Sequence, residues 1–268
     1  MSEGSYSLAA ASTWLEQSVL VAQPRTLRRL DAIGEDARSW LNGQVTADLR
    51  HTGSARASYS LALNIKGRIL ADLWVTAVGE GEALRMCMSV DESALAALCE
   101  SFEAHIIMED VELSPRSDLR LVALLGPAAK EIADRLQDTL GDAVIERCAT
   151  ARMGQACAAG GVDLWVSEAM LPAALASAEA LASEFDGGAL PQQDWAALHM
   201  RHALPLFPLD FGPQSYPQEA GLQRRAVSFE KGCYLGQEVV CMLENRGQLS
   251  RQLVLIESLP PDTAGQPG

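Results

Sequence analysis

At 268 residues and 28.7 kDa, the chain is too long for a minimal module and suits one large domain or two ordinary ones. Its composition, 48% apolar and 21% charged, excludes a wholly disordered chain, a collagen and a coiled coil. With 21 basic against 35 acidic residues the net charge is −14, which disfavours non-specific nucleic-acid binding, since that needs clustered Lys and Arg.

In chain order, residues 1–23 read as a weakly patterned lead-in. The stretch 32–44 predicts a short helix, with Glu35 and Asp36 at its start and Ala37, Trp40 and Leu41 on one face. The alternation over 59–65 predicts a half-buried strand, 66–68 a turn and 69–78 a second apolar run. Leu84, Met86, Met88 and Val90 alternate, so 83–90 reads as a strand. Asp91 is then the N-cap of a helix bearing Leu95, Leu98 and Phe102. The apolar run 119–125 predicts a strand covered on both faces. Pro127 opens a helix with Ile132, Leu136 and Leu140 on one side, stopped by Gly141. A strand follows at Val162, Leu164 and Val166, then a helix over 172–182. Pro205, Pro208, Pro213 and Pro217 mark 204–230 as irregular. A short helix is expected over 237–243, a turn at 245–247 and a strand at 253–256.

This order divides the chain into 24–118 and 119–190 as two α/β modules, a structural duplication unsupported by any sequence repeat. Residues 191–251 form a third segment and 252–268 a tail or the start of a further domain. Residues 196–251 carry six basic and five acidic residues, leaving −15 on the rest, so an anionic ligand is better received there. No segment reaches the roughly 18 consecutive apolar residues of a membrane span, and the N-terminus lacks the pattern of a signal peptide. The six cysteines form no C-x-x-C pair and read as thiols of a cytoplasmic protein.

The densest chemical signal is Lys231-Gly232-Cys233-Tyr234-Leu235-Gly236-Gln237-Glu238. Glycines let the backbone bend and come close to a ligand. A cysteine between a lysine and a helix start is placed where thiolate is favoured, as a nucleophile, redox thiol or metal ligand. The same cysteine could instead be a small hydrophobe in a turn. Cys99 and Cys241 sit among apolar helix positions and suit packing. One thiolate cannot complete an iron–sulfur site alone. His199 and His202 lack an H-E-x-x-H context, so they read as surface residues rather than ligands, and Trp195 suits either a core or a stacking platform. No G-x-G-x-x-G stretch indicates a dinucleotide site.

The octapeptide 231–238 resembles the signature of the YgfZ family, folate-binding proteins related to the glycine-cleavage T protein. Other stretches agree in order: Leu41-Asn-Gly-Gln-Val-Thr-Ala-Asp48, Leu63-Asn-Ile-Lys-Gly-Arg-Ile69, Gly126-Pro127 and Tyr216-Pro-Gln-Glu-Ala-Gly-Leu222. The resemblance spans about 27–257. It implies an α+β, T-protein-like fold of two α/β modules around a central cavity for tetrahydrofolate, with a C-terminal β-barrel truncated in this chain. It implies a folate site drawing on Trp195, Asp72, Asn64, Tyr216, Glu219, Lys231, Gly232, Gln237 and Glu238. It implies a role in assembly or repair of iron–sulfur proteins, and so of tRNA-modifying enzymes, through Cys233, which could share a transient iron–sulfur cluster. The implied partners are folate and iron–sulfur assembly or client proteins, with no direct DNA contact and no membrane. Two positions depart from the family pattern. Leu27 stands where a folate-associated tryptophan is usual, and Arg201-His202-Ala203 replaces E-A-G before the proline.

The resemblance favours an assembly factor over a conventional enzyme. The alternative is a folate-dependent aminomethyl or methyl transferase. T proteins carry adjacent aspartates where this chain has Ala71-Asp72, leaving one carboxylate for proton transfer, and they lack the motif cysteine. A third reading is a protein-binding module that has lost folate. Trp195 is expected at the wall of a central cavity.

Overall fold

The computed structural model describes residues 7–256. The first helix, α1 (Leu8–Gln17), is capped by Ser7, whose hydroxyl accepts from Ala10 N at 3.1 Å, and leads into a short strand, β1 (Leu20–Ala22). Neither was expected in the lead-in. Their buried marks, Ala11 and Leu15 on the helix, form a stripe too short to register as a period.

Next come β2 (Leu27–Ile33) and α2 (Ala37–Gln44). The helix expected from residue 32 starts at Ala37, because Ala32 and Ile33 pair with Met86 and Arg85 and belong to the strand. β3 (Ser58–Leu63), β4 (Ile69–Val78), β5 (Arg85–Asp91), α3 (Glu92–Glu103) and β6 (Glu112–Arg116) complete the first unit. Asp91 caps α3 as expected, accepting from Ser93 N at 3.0 Å. The sheet runs β3-β4-β5-β2-β6, antiparallel throughout. β6 was not anticipated. It lies at the sheet edge, where Pro115 is tolerated, and no apolar alternation marks it.

The second unit holds β7 (Leu119–Leu125), α4 (Ala129–Leu140), β8 (Val144–Thr150), β9 (Gly161–Ser167), α5 (Leu171–Glu184) and β10 (Gly188–Ala189). Its sheet runs β10-β1-β7-β9-β8, with only the β1–β10 pair parallel. β8 escaped the sequence reading because Glu146 takes an inward position where an apolar residue was the expected mark. The two units repeat one turn. A strand ends at Gly34 (φ 134°) or Gly126 (φ 128°), and the following helix returns its first N–H to that glycine, Ala37 to Gly34 and Ala129 to Gly126. A Cβ would lie 2.0 Å from Asp110 O at Gly34 and 2.5 Å from Ser18 O at Gly126.

Two buried arginines cross between the units. Arg29 on β2 binds Asp31 on its own strand and Glu146 on β8 (2.6 Å), and its guanidinium lies 5.5 Å from the Trp165 ring. Glu146 also accepts from Thr76 Oγ1 of β4 at 2.9 Å. Arg152, just after β8, binds Asp163 on β9 at 2.7 and 3.0 Å, donates to Ser89 of β5 at 3.0 Å, and lies 5.4 Å from the Trp74 ring.

After β10 come α6 (Trp195–Arg201), an irregular stretch containing the four-residue helix α7 (Gln223–Ala226), and α8 (Gln237–Arg246). Phe207, Phe211, Leu222, Tyr234 and Val240 return this segment to the core of the first unit. α8 runs through the turn expected at 245–247, leaving Gly247 as its C-cap. The strand expected at 253–256 is absent. Leu253 N donates to Glu219 O at 2.8 Å, but no strand pairs with the segment, and Val254 and Ile256 are exposed. Residues 257–268 of the expected tail lie outside the described residues. Among the described residues no helix is long and apolar enough to cross a membrane.

Ala203 has φ 52°, a left-handed conformation that favours glycine. Ala203→Gly is expected to stabilise the protein by roughly 0.5–1 kcal/mol, the strain relieved being partly offset by glycine's greater unfolded-state freedom. Thermal unfolding checks this, and an unchanged or lower Tm contradicts it.

Candidate functional site

β4 builds one wall of a cavity by strict alternation. Ile69, Ala71, Leu73 and Val75 face the core, so Asp72 and Trp74 share the opposite face. Tyr59 on β3 pairs with Trp74, their rings 4.9 Å apart, and its hydroxyl donates to Asp72 Oδ2 at 3.0 Å. Ser89 and Asp91 from β5 extend this wall. The opposite wall comes from α6 and the turn before it, with Gln192, Trp195 and His199, and from the 204–209 stretch. Arg152 and Arg225 close the sides. The cavity measures about 410 Å³, within the range of roughly 300–1,000 Å³ typical of small-molecule sites.

Its electrostatics are set by burial. Loss of solvent pushes the Asp72 carboxyl up to about 6, against the pull of the Tyr59 hydroxyl and the Arg152 charge. Burial raises the Tyr59 hydroxyl well above its ordinary range. Burial lowers His199 to about 4, so its ring is neutral at neutral pH. Its Nδ1 lies 3.0 Å from Trp195 O and its ring 4.4 Å from the Trp195 ring. The carbonyl oxygen of the Gln192 side chain has no hydrogen-bond partner among the described residues. Aromatic walls, an acid near neutrality and an unpartnered amide oxygen together fit a planar heterocycle that carries hydrogen-bond donors.

The 231–238 loop lies elsewhere, on the end of α2. Lys231 turns its ammonium inward to the carbonyls of Asn42, Val45 (2.8 Å) and Ala47 (2.7 Å). The three N–H donors of this ammonium are thus committed to backbone oxygens of the α2 end. Burial lowers its pKa to about 8. Ser228 N donates to Thr46 O and Leu235 N to Gly43 O. Gly236, at φ 81°, packs so closely on the 64–67 turn that a Cβ would lie 2.6 Å from Asn64 O. Gly232 has open space around its Cα, and Cys233 is exposed.

Of the residues proposed from sequence, Trp195 and Asp72 line the cavity, and Leu27 does too, as an aliphatic wall rather than a stacking ring. The others do not. Asn64 Oδ1 accepts from Lys66 N and Arg68 N within its own turn. The Tyr216 ring lies under Arg68 at 4.0 Å, and Glu219 accepts from Tyr216 N at 2.9 Å and Arg251 Nε at 3.1 Å. Gln237 and Glu238 open α8, away from the cavity, and Cys233 and Gly232 line neither this cavity nor its neighbouring groove. Among the described residues no cluster of three His, Cys, Asp or Glu is placed to hold a metal ion. Tyr59, Trp74, Arg152 and Gln192 were missed. The i, i+2 spacing of Asp72 and Trp74 on a strand was the available signal for one face.

The folded pKa of Asp72, about 6, lies above the roughly 3.9 of an unfolded aspartate, so the fold favours the protonated form. Holding it ionised costs stability above pH 6, and that cost fades as pH falls toward 4. Asp72→Asn keeps an acceptor for Tyr59 and should raise Tm by a few degrees near pH 7.5, with the gain shrinking toward pH 4.5. Thermal melts across this range check it, and a gain independent of pH contradicts it.

A model of the GCVT N-terminal domain matches residues 6–168. Curated relatives include "tRNA-modifying protein YgfZ" of Photorhabdus laumondii, 28% identical over 239 residues, covering 85% of this chain and 69% of that protein. The protein of the same name from Escherichia fergusonii is 28% identical over 245 residues, covering 87% and 72%. Among solved structures, the crystal structure of glycine cleavage system aminomethyltransferase T from Bartonella henselae superposes with a TM-score of 0.66 at 18% identity, over 90% of this chain and 67% of that one. The two-sheet architecture around the Asp72–Trp195 cavity is thus a T-protein fold, and the chain belongs to the GCVT N-terminal domain family, within its YgfZ group.

Proposed function

We propose that this protein binds a tetrahydrofolate in the cavity walled by Trp195, Trp74 and Asp72, and presents Cys233 to iron–sulfur proteins, including tRNA-modifying enzymes, during cluster assembly or repair. The observation that carries the folate half is the cavity itself, with aromatic faces on two sides and Asp72 and Gln192 offering polar contacts between them. Trp195 would stack the pterin, while Asp72 and Gln192 would accept from its N–H groups. Bound tetrahydrofolate would supply a reduced one-carbon carrier. The protein's own part is to orient it, shield it from water and exchange a proton at Asp72, whose carboxyl is held near neutrality.

The thiol half rests on different ground. Lys231 and Gly236 pin both sides of a loop that leaves Cys233 exposed, and this suits a sulfur meant for a partner rather than for packing. A cluster handled there would be cargo, completed by ligands from the partner, since one cysteine cannot fill a cluster site. The separation of Cys233 from the cavity supports a reading in which folate and thiol do not react with each other. A second reading, folate-dependent one-carbon transfer, is favoured by the Asp72 carboxyl near neutrality. The Ala71 argument against it loses force, because position 71 faces the core and a carboxylate there would not reach the ligand.

Titration with tetrahydrofolate should quench tryptophan fluorescence saturably, and Trp195→Ala should weaken binding by about tenfold or more, one stacked ring contributing on the order of 1–3 kcal/mol. No saturable binding contradicts the folate half. Cys233→Ser should keep its Tm and folate affinity yet fail to restore an iron–sulfur enzyme in cells lacking the native factor. Full rescue by the folded variant contradicts the thiol half.

A further inference from the structure

The loop between α3 and β6 presents two adjacent apolar side chains to solvent. Ile107 is 83% and Met108 93% exposed, whereas Ile106 packs on the core. The loop is pinned on both sides of the pair. Trp40 Nε1 donates to His105 O at 3.0 Å, and the Glu109 carboxylate accepts from Ile107 N and Met108 N, each at 3.0 Å. These bonds hold the Glu109 carboxyl below the usual carboxylate range. Asp110 N donates to Asp36 Oδ2 at 2.9 Å, and Asp36 N donates to Asp110 O at 3.4 Å. Isolated surface hydrophobes need no explanation, but a neighbouring pair fixed in solvent by five hydrogen bonds gains nothing from its own chain. The surroundings carry one sign. Glu35, Glu103, Glu109, Asp110 and Glu112 are exposed and make no ion pair among the described residues, and no Lys or Arg occurs from Glu92 to Pro115. The loop also has a fixed relation to Cys233. It grips the start of α2 through Asp36 and Trp40, while Leu235 and Lys231 grip the end of α2 through the carbonyls of Gly43 and Asn42. α2 has eight residues, a length of about 12 Å. A standard interface of about 800 Å² on each partner is roughly 28 Å across, so both loops fit within one footprint.

We infer that Ile107 and Met108 anchor the iron–sulfur protein that Cys233 serves, and that this partner receives them in an apolar pocket edged by Lys and Arg. The inference rests on the thiol half of the function proposed above. Two aliphatic side chains seated in a pocket supply the affinity of a small interface, and the carboxylates around them set the choice of partner and speed the encounter. The sign of the rim decides among occupants. A second copy of this chain would bring carboxylates against carboxylates across a two-fold contact. An anionic membrane surface would be repelled by the same charges. A basic rim on the partner is the arrangement that satisfies them.

The test combines cross-linking with rescue in cells that lack the native factor. A photo-reactive benzoylphenylalanine in place of Met108 should cross-link to an iron–sulfur protein, the same one that a mixed disulfide at Cys233 traps. The cross-linked peptide, read by mass spectrometry, should carry apolar residues flanked by Lys or Arg. Glu103→Lys/Glu112→Lys should cut the yield of that cross-link at least about fivefold. Ile107→Ser/Met108→Ser should keep its Tm, since both side chains are exposed, and lower the restored iron–sulfur enzyme activity at least about fivefold, as loss of an interface anchor does. Full rescue by this folded variant, with Cys233→Ser still failing, overturns the docking inference and leaves the thiol reading standing. Full rescue by Cys233→Ser overturns both. No cross-link, a cross-link to a second copy of this chain or to an acidic peptide, or Met108-dependent binding to vesicles of phosphatidylglycerol and phosphatidylcholine, also overturns the docking inference.

Discussion

The cavity depends on two arginines that cross between the sheets. Each is buried, each is paired with a carboxylate, and each rests on a tryptophan of the other unit: Arg29 against Trp165, Arg152 against Trp74. Replacing such pairs by apolar residues is often neutral for stability, but removing one partner leaves a buried charge, at roughly 3–5 kcal/mol. Their contribution is therefore register rather than raw stability. An apolar interface would let the sheets close together. Guanidinium groups with fixed partners on both sides hold Trp74 and Asp72 at the cavity face and prevent that closure.

The same constraint sets the chemistry. Asp72 is half enclosed by aromatic rings and deprived of water, so its carboxyl is held near 6. His199, equally deprived, stays neutral. The wall thus offers an acid near neutrality and neutral stacking surfaces, with Arg152 and Arg225 at the sides. Aromatic faces with a carboxyl and an amide oxygen between them suit a planar ring that carries N–H donors.

How much of this was legible in the sequence follows from period and sign. β3, β4, β5, β7 and β9 were readable because their buried faces alternate or run on as apolar residues. β8 was not, because its inward Glu146 is satisfied only by Arg29, 117 residues away, and no local pattern reports such a partner. The cavity was half legible. Asp72 and Trp195 were chosen, while Tyr59, Trp74 and Arg152 are brought to them by strand pairing and the sheet interface. Lys231 shows the opposite failure. Its neighbourhood in sequence pointed to the thiol, yet its side chain is long enough to reach three carbonyls of a distant helix end, and unpaired buried carbonyls there would be the greater cost.

That contact explains why three separate stretches resemble one family together. The last carbonyls of α2 and the chain just after it, Asn42 to Ala47, need donors, and Lys231 supplies them. Gly43 then receives Leu235, and the 64–67 turn receives Gly236, where no side chain fits. Stretches 41–48, 63–69 and 231–238 are therefore one physical unit with three parts, each shaped by the other two. Within it, Cys233 is shaped by none of them. It is exposed, its neighbour Gly232 is not required by space or backbone angle, and the anchors lie on either side. An exposed thiol on a loop pinned on both sides is held where another molecule can reach it. This argument, rather than any charge near the sulfur, is the physical case for a thiol that serves a partner.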